Sequence, residues 1–124
     1  MPVPKYQEFY APILDALKDG QAHHMKEIKE TVISLMALTD NDLLELLPSG
    51  SQTLFENRIS WARTYLKRAG LIDSPKRSYF VLTEEGKKSL PDIKIINDRY
   101  LKRYASFREF RNLDDGLDAL RKSL

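Results

Sequence analysis

Apolar side chains recur at the spacing of one helix face in two segments near the start of the chain. The first segment can hold Pro12 in its opening turn and meets a natural helix stop at Gly20. In the second segment, charged residues fill the positions between the apolar ones. Two amphipathic helices are therefore predicted, with apolar faces at Tyr6, Tyr10, Ile13, Leu14 and Leu17 and at Met25, Ile28, Val32, Leu35 and Met36.

A longer helix is predicted over residues 53–69. Thr53 and Glu56 have the spacing of a capping box, and Gly70 is suited to ending the helix. Before it, Thr39 and Asp42 have a similar spacing, which predicts a short helix ended by the turn residues 48–50. The apolar face of the long helix consists of Phe55, Ile59, Ala62, Leu66 and Ala69.

A β-hairpin is predicted directly after the long helix. Residues 71–73 and 79–82 are short strand-like runs, joined by the polar and basic residues 74–78. Thr83 can then cap a helix whose first turn is acidic, where the helix dipole favours negative charge. This helix is expected to seat the hairpin on the rest of the domain.

Two further helical segments are predicted beyond residue 90. Pro91 suits a first helical position, and apolar residues follow at roughly helical spacing as far as Tyr104. Ser106 and Glu109 then form another capping box at the start of a short aromatic segment. The predicted fold class is thus mainly α with a small β-hairpin and extra C-terminal helices.

The composition indicates one globular domain inside the cell. The chain has 124 residues, of which 42% are hydrophobic and 31% charged. Because the apolar content falls from residue 112 onward, we expect residues 1–111 to form the domain and residues 112–124 an extension or linker. The apolar runs are far shorter than the roughly 20 residues of a membrane span, and no secretory signal is recognisable. A cytoplasmic protein without a membrane partner is expected.

Metal and catalytic sites are not predicted. The chain has no cysteine, which excludes disulfides and thiol catalysis. His23 and His24 are adjacent, so on a helix they point to different sides, and we interpret them as a helix-start pair. No nucleophilic triad or phosphate-binding glycine loop is recognisable. We expect no cofactor, no catalytic residue and no small-molecule substrate.

The net charge of +2 conceals an uneven distribution along the chain. Residues 1–51 hold four basic and eight acidic side chains, a net charge of −4. Residues 52–79 hold six basic and two acidic side chains, a net charge of +4. A polyanion would therefore be bound by the long helix and the hairpin.

Three helices followed at once by a hairpin are typical of a winged helix-turn-helix. In that architecture the third helix enters the major groove of DNA and the hairpin, or wing, reaches the adjacent backbone. Arginine and lysine can contact phosphate or guanine, and asparagine can bind adenine. The expected partner is double-stranded DNA, and the candidate DNA-binding residues are Asn57, Ser60, Arg63, Thr64, Lys67, Arg68, Lys76 and Arg77.

Simpler interpretations stay open at this stage. The basic helix face and the hairpin tip could be ordinary solvated surface, and Trp61 is better explained by partly buried packing than by base stacking. The same fold could serve a dimeric transcriptional regulator. It could also serve a protein-interaction module, if the aromatic residues of the C-terminal stretch, Tyr100, Tyr104, Phe107 and Phe110, formed an exposed patch.

Residues 57–72 resemble the N-terminal winged-helix domain of Mrr-type restriction endonucleases. Similar pieces occur in order at residues 2–6, 47–50, 74–77, 82–86 and 106–110, so the resemblance covers residues 2 to about 111. It implies a DNA-targeting domain, with methylated DNA among its targets. In the family this domain is joined to a nuclease domain that cuts modified DNA with magnesium.

The magnesium-binding nuclease motif of the family is not recognisable here. Glu27-Ile28-Lys29 and Asp92-Ile93-Lys94 match its last three letters, but both are predicted on helices, whereas the family places the motif on strands. The chain is therefore expected to be the targeting part of a restriction system and not an enzyme by itself. Residues 112–124 would then lead toward the nuclease domain.

Overall fold

A computed structural model of the chain describes residues 3–111. After a 3₁₀ turn at Tyr6–Phe9, the helices are α1 (Tyr10–Ala16), α2 (Met25–Leu35), α3 (Asp40–Leu44), α4 (Leu54–Ala69) and α5 (Glu84–Ser89). A second 3₁₀ segment at Leu90–Ile95 leads to α6 (Asp98–Leu101), and residues 105–111 are helical and are called α7. The strands are β1 (His23–His24), β2 (Ile72–Asp73) and β3 (Tyr79–Leu82). The chain is mainly helical with a small antiparallel sheet, consistent with the predicted winged-helix fold.

The sheet has three strands in the order β1-β3-β2, all antiparallel. The predicted hairpin is confirmed, with Ile72 opposite Leu82. The edge strand β1 was not predicted: His23 pairs with Phe80, and His24 caps α2 by accepting a hydrogen bond from the backbone N–H of Lys26 at 3.0 Å. Of the two histidines expected at a helix start, only His24 caps a helix.

The core lies where α1, α2 and α4 meet the sheet. Its fully buried side chains include Phe9, Ile13, Ile28, Ile59 and Leu66, which come from these three helices and the turn before them. On the predicted face of α2, Leu35 is the exception, since 51% of its surface is exposed at the end of the helix.

The α4 helix begins and ends where its sequence predicted. The hydroxyl of Thr53 accepts from the backbone N–H of Glu56 at 3.1 Å, and Gly70 ends the helix in the left-handed region at φ 87°. The predicted reciprocal bond of the capping box is not made, because the carboxylate of Glu56 binds Lys29 Nζ at 2.7 Å. A full capping box occurs instead at Thr39 and Asp42, which start α3.

The prediction of one continuous helix from Pro91 to Tyr104 is wrong, because the structure has two separate helical segments there. The 3₁₀ segment ends at Ile95, and Asn97 then caps the short α6 by accepting from the N–H of Tyr100 at 2.9 Å. An asparagine is favoured at a cap but not inside a helix, which explains the break.

The aromatic C-terminal stretch is mostly core. Tyr100 and Phe107 are buried, and Tyr104 and Phe110 are partly buried against the core. The exposed patch that an interaction module would use is therefore not formed by these side chains. Residues 112–124, the predicted extension or linker, lie outside the described residues. Among the residues that the structure describes, no helix is long and apolar enough to cross a membrane.

Candidate nucleic-acid interface

The outward side of α4 carries the predicted site because the helix buries the opposite side. Phe55, Ile59, Ala62, Tyr65 and Leu66 are buried, so the opposite side of the helix faces outward. Lys67 and Arg68 are exposed, and Asn57, Ser60, Arg63 and Thr64 are partly exposed. The six helix residues predicted to contact DNA are therefore accessible.

An open groove of about 880 Å³ runs along the C-terminal half of α4. The β2–β3 hairpin lies on one side of it and α7 on the other. Five of the eight predicted residues line the groove, namely Arg63, Thr64, Lys67, Arg68 and Arg77. The other lining residues are Ser74, Ser78, Phe80, Ser106, Glu109 and Phe110.

Two arginines of the groove lie over aromatic rings. The guanidinium of Arg63 is 5.5 Å from the ring centre of Phe80, and that of Arg68 is 4.7 Å from the ring centre of Phe110. Burial lowers the pKa of Arg63 from its usual value, but an arginine stays protonated at any physiological pH. The rings thus fix two positive charges at the groove without neutralising them.

The cations of this surface are not paired with carboxylates. Within residues 3–111, no carboxylate oxygen lies within 4.0 Å of Arg63, Lys67, Arg68, Lys76 or Arg77. Lysines elsewhere, such as Lys29, Lys87 and Lys88, are paired with glutamates. The groove therefore keeps its positive charge available for an anion.

The hairpin tip is an ordered basic turn. Ser74 Oγ donates to the backbone oxygen of Lys76 at 2.8 Å, and Ser78 has a positive φ of 66°. The ammonium of Lys76 lies 4.2 Å from the ring centre of Tyr79, outside the groove lining. Arg77 is exposed and points to the groove side. The two basic residues of the tip thus have different surroundings.

The N-terminal half of α4 lies beyond the groove. There the side-chain amide of Asn57 donates to Gln52 Oε1 at 3.3 Å. Farther along α4, in the groove lining, the hydroxyl of Thr64 donates to the backbone oxygen of Ser60 at 2.9 Å, so its proton is used inside the helix. Its oxygen can still accept a hydrogen bond. Asn57 and Ser60 form a polar surface next to the cationic groove.

The remaining flank of α4 is structural. Arg58 donates to the backbone oxygens of Val3 and Pro4 and thereby fixes the start of the chain. Trp61 packs on Tyr65 with ring centres 5.7 Å apart, and 42% of its surface stays exposed. Trp61, expected to be partly buried, thus packs on a ring but is an exposed large hydrophobic side chain.

The two sequence matches to the nuclease motif lie on helical segments, as predicted. Glu27 is on α2 beside His23, whose ring lies between the carboxylates of Asp19 and Glu27. Hydrogen bonds to these carboxylates raise the pKa of His23. Asp92 accepts a hydrogen bond from the hydroxyl of Tyr100 at 2.9 Å. In residues 3–111, no cluster of three histidine or acidic side chains has a geometry that could hold a metal ion.

Sequence reasoning missed the contribution of α7 to the groove. Ser106 and Glu109 were interpreted as a capping box, but the helix already begins at residue 105 and both side chains are exposed. Phe107 anchors α7, because it is fully buried and its ring centre lies 5.7 Å from that of Tyr65. The alternation of buried Phe107 with polar neighbours was the available signal, but it does not indicate which element α7 packs against.

Comparison with known proteins agrees with the resemblance found in the sequence. Residues 6–92 match the Mrr N-terminal domain. Over 89 residues, the chain is 35% identical to the type IV methyl-directed restriction enzyme EcoKMrr of Escherichia coli strain K12. The alignment covers 69% of this chain and 28% of that enzyme. No solved structure is significantly similar to it. The chain therefore belongs to the Mrr N-terminal domain family.

Proposed function

We propose that this chain is a double-stranded DNA-binding module that targets a restriction system of the Mrr type to its substrate. The observation that carries the proposal is the groove beside α4, where four unpaired cations, Arg63, Lys67, Arg68 and Arg77, converge from a helix and a hairpin. Phosphate contacts from such cations supply most of the affinity of DNA-binding proteins.

The proposed binding mode uses the two halves of α4 differently. The N-terminal half, with Asn57 and Ser60, enters the major groove, where amide and hydroxyl groups can contact base edges. The cations of the groove contact the adjacent sugar-phosphate backbone from α4 and the hairpin, and the α7 side of the groove faces the neighbouring base edges. Lys76 at the hairpin tip contacts the next phosphates along the strand.

The relative in Escherichia coli is by its name a methyl-directed restriction enzyme, and the matched region is 28% of its length. By analogy, we infer that this chain supplies DNA targeting in the cytoplasm and that methylated DNA is among its targets. Cleavage would be the task of other parts of such an enzyme.

The test is a gel shift with duplex DNA over a range of salt concentrations, beginning at ~50 mM, where counterion release favours binding. We expect the wild-type chain to bind. Lys67→Ala should weaken binding of all sequences alike and lower the salt slope by about 0.9, because one phosphate contact is lost. Arg63→Ala should do the same.

Two controls make the result specific. Lys18→Ala removes a charge that is paired with Asp15 and does not line the groove, so its slope should equal that of the wild type. Thermal unfolding of Arg63→Ala checks that the loss of packing on Phe80 has not unfolded the chain. An unchanged slope in both Arg63→Ala and Lys67→Ala would contradict this placement of the DNA.

A further inference from the structure

The cationic groove contains one carboxylate among its lining residues, that of Glu109. Glu109 lies on α7, is exposed, and faces a groove that Arg63, Lys67, Arg68 and Arg77 also line. None of these cations lies within 4.0 Å of a carboxylate oxygen in the described part of the chain. The negative charge is thus held beside four positive charges without an ion pair.

Two of the four cations of the groove contact aromatic rings and form no ion pair with Glu109. The guanidinium of Arg68 lies over Phe110, and that of Arg63 lies over Phe80. These stacked positions leave the carboxylate with free acceptor capacity in the open groove. A group that enters the groove can therefore meet both unpaired donors and an unpaired acceptor.

A groove that bound phosphate alone would be weakened by a carboxylate. Phosphate has the same charge sign and offers no hydrogen-bond donor at neutral pH. When DNA excludes water from the groove, the carboxylate loses hydration, which is costly unless a donor replaces the water. In the major groove of DNA, the donors are the exocyclic amines of cytosine and adenine.

We propose that Glu109 determines base specificity by accepting a hydrogen bond from an exocyclic amine, N4 of cytosine or N6 of adenine. This inference rests on the proposed DNA-binding function and adds α7 to the interface as a third contact element. Glutamate pairing with the cytosine amine is the more common of the two contacts. Methylation at C5 of cytosine leaves N4 unchanged, so Glu109 recognises the base and not that modification.

The experiment selects bound duplexes from a pool with a randomised centre, in parallel for the wild type and Glu109→Ala. We expect the wild type to enrich cytosine or adenine at one position, and the identity of that base distinguishes the two amines. In Glu109→Ala the preference at that position, about tenfold for a good side-chain contact, should disappear. Preferences at other positions should remain.

The charge-matched control is Glu30→Ala, which removes an exposed carboxylate on α2 outside the groove. It should leave every base preference unchanged. If Glu109→Ala raises the affinity for all duplexes equally and keeps the wild-type base preferences, or if the wild type enriches no base, the inference about Glu109 is overturned while DNA binding stands. Failure of the wild type to bind any duplex at ~50 mM salt would instead overturn the proposed function itself.

Discussion

At the scale of single residues, Asp98 connects the start of α6 with the N-terminal segment of the described chain. Its carboxylate accepts from the hydroxyls of Tyr6 and Tyr10, the latter at 2.6 Å, and its backbone N–H donates to Gln7 Oε1 at 3.2 Å. Burial, followed by the hydrogen bond to Asp98, raises the pKa of both tyrosines. The start of α6 is thereby fixed to the first turn of the chain, more than 80 residues away in sequence.

Removing this acceptor should destabilise the fold. In Asp98→Ala the hydroxyls of Tyr6 and Tyr10 lose their partner, and Tyr10 is fully buried. The cost of leaving such groups unsatisfied predicts a loss of about 2–4 kcal/mol in the free energy of unfolding. Asp98→Asn keeps one oxygen acceptor and should lose less. Urea denaturation measures both, and an Asp98→Ala variant as stable as the wild type would show that these bonds contribute nothing.

At the scale of elements, the seating of the hairpin depends on a close approach of α5. A Cβ atom at Gly86 would lie 2.1 Å from the backbone oxygen of Leu71 and 2.7 Å from the side chain of Leu82. The chain entering the hairpin at Leu71 and the end of its second strand therefore lie directly against α5. The wall of the cationic groove is positioned by this contact.

Gly86→Ala tests that contact. Alanine favours a helix over glycine by about 1 kcal/mol, yet here we expect a loss of roughly 1–3 kcal/mol, because the backbone of Leu71 cannot yield easily. Glu85→Ala on the same helix is exposed and should change stability by about 0.5 kcal/mol or less. Thermal unfolding compares the two variants. If Gly86→Ala were the more stable, α5 would have to sit further from the hairpin.

Local signals predicted the elements that are fixed locally. Thr53 and Gly70 mark the ends of α4 through capping and left-handed geometry, which a sequence carries directly. The strand at His23 was missed because two residues show no alternation, and its existence depends on pairing with Phe80. The position of α7 beside the groove likewise depends on the packing of Phe107 against Tyr65, which no local pattern encodes.

The same division applies to the candidate site. The cations were predicted because solvent-facing positions follow from the buried face of α4. Which of them converge could not be predicted, because the groove is formed by three elements that are distant in sequence. Lys76 was therefore grouped with Arg77, although only Arg77 lines the groove.

At the scale of the whole molecule, acidic and basic residues are separated along the chain. Residues 1–51 carry a net charge of −4, and residues 52–79, which contribute Arg63, Lys67, Arg68 and Arg77 to the groove, carry +4. Under the proposed function, such a distribution favours contact with DNA through residues 52–79, because a polyanion attracts basic side chains and repels acidic ones. Two carboxylates of the acidic part are engaged with a histidine within the protein. Asp19 and Glu27 contact His23.

This engagement leads to the last prediction, that the chain binds DNA without cutting it. Lys29, the lysine of the first motif match, is bound to Glu56, and Asp92 of the second match accepts a bond from Tyr100. In residues 3–111 neither set belongs to a cluster of three side chains that could hold a metal ion, and magnesium in a nuclease is held by such clusters of oxygen ligands. Supercoiled plasmid incubated with the purified chain and magnesium should therefore stay supercoiled.

Glu27→Ala and Asp92→Ala are the matched variants for this assay, and both should behave as the wild type does. Nicking that disappears in Glu27→Ala but persists in Asp92→Ala would locate a nuclease site on α2 and contradict the assignment of the chain to targeting. Nicking that persists in both variants at equal rate would show that neither motif match carries the cleavage and would likewise contradict the prediction. Binding measured in the same samples shows whether the DNA was engaged during the assay. An intact plasmid that is nevertheless bound is the result that separates recognition from cleavage.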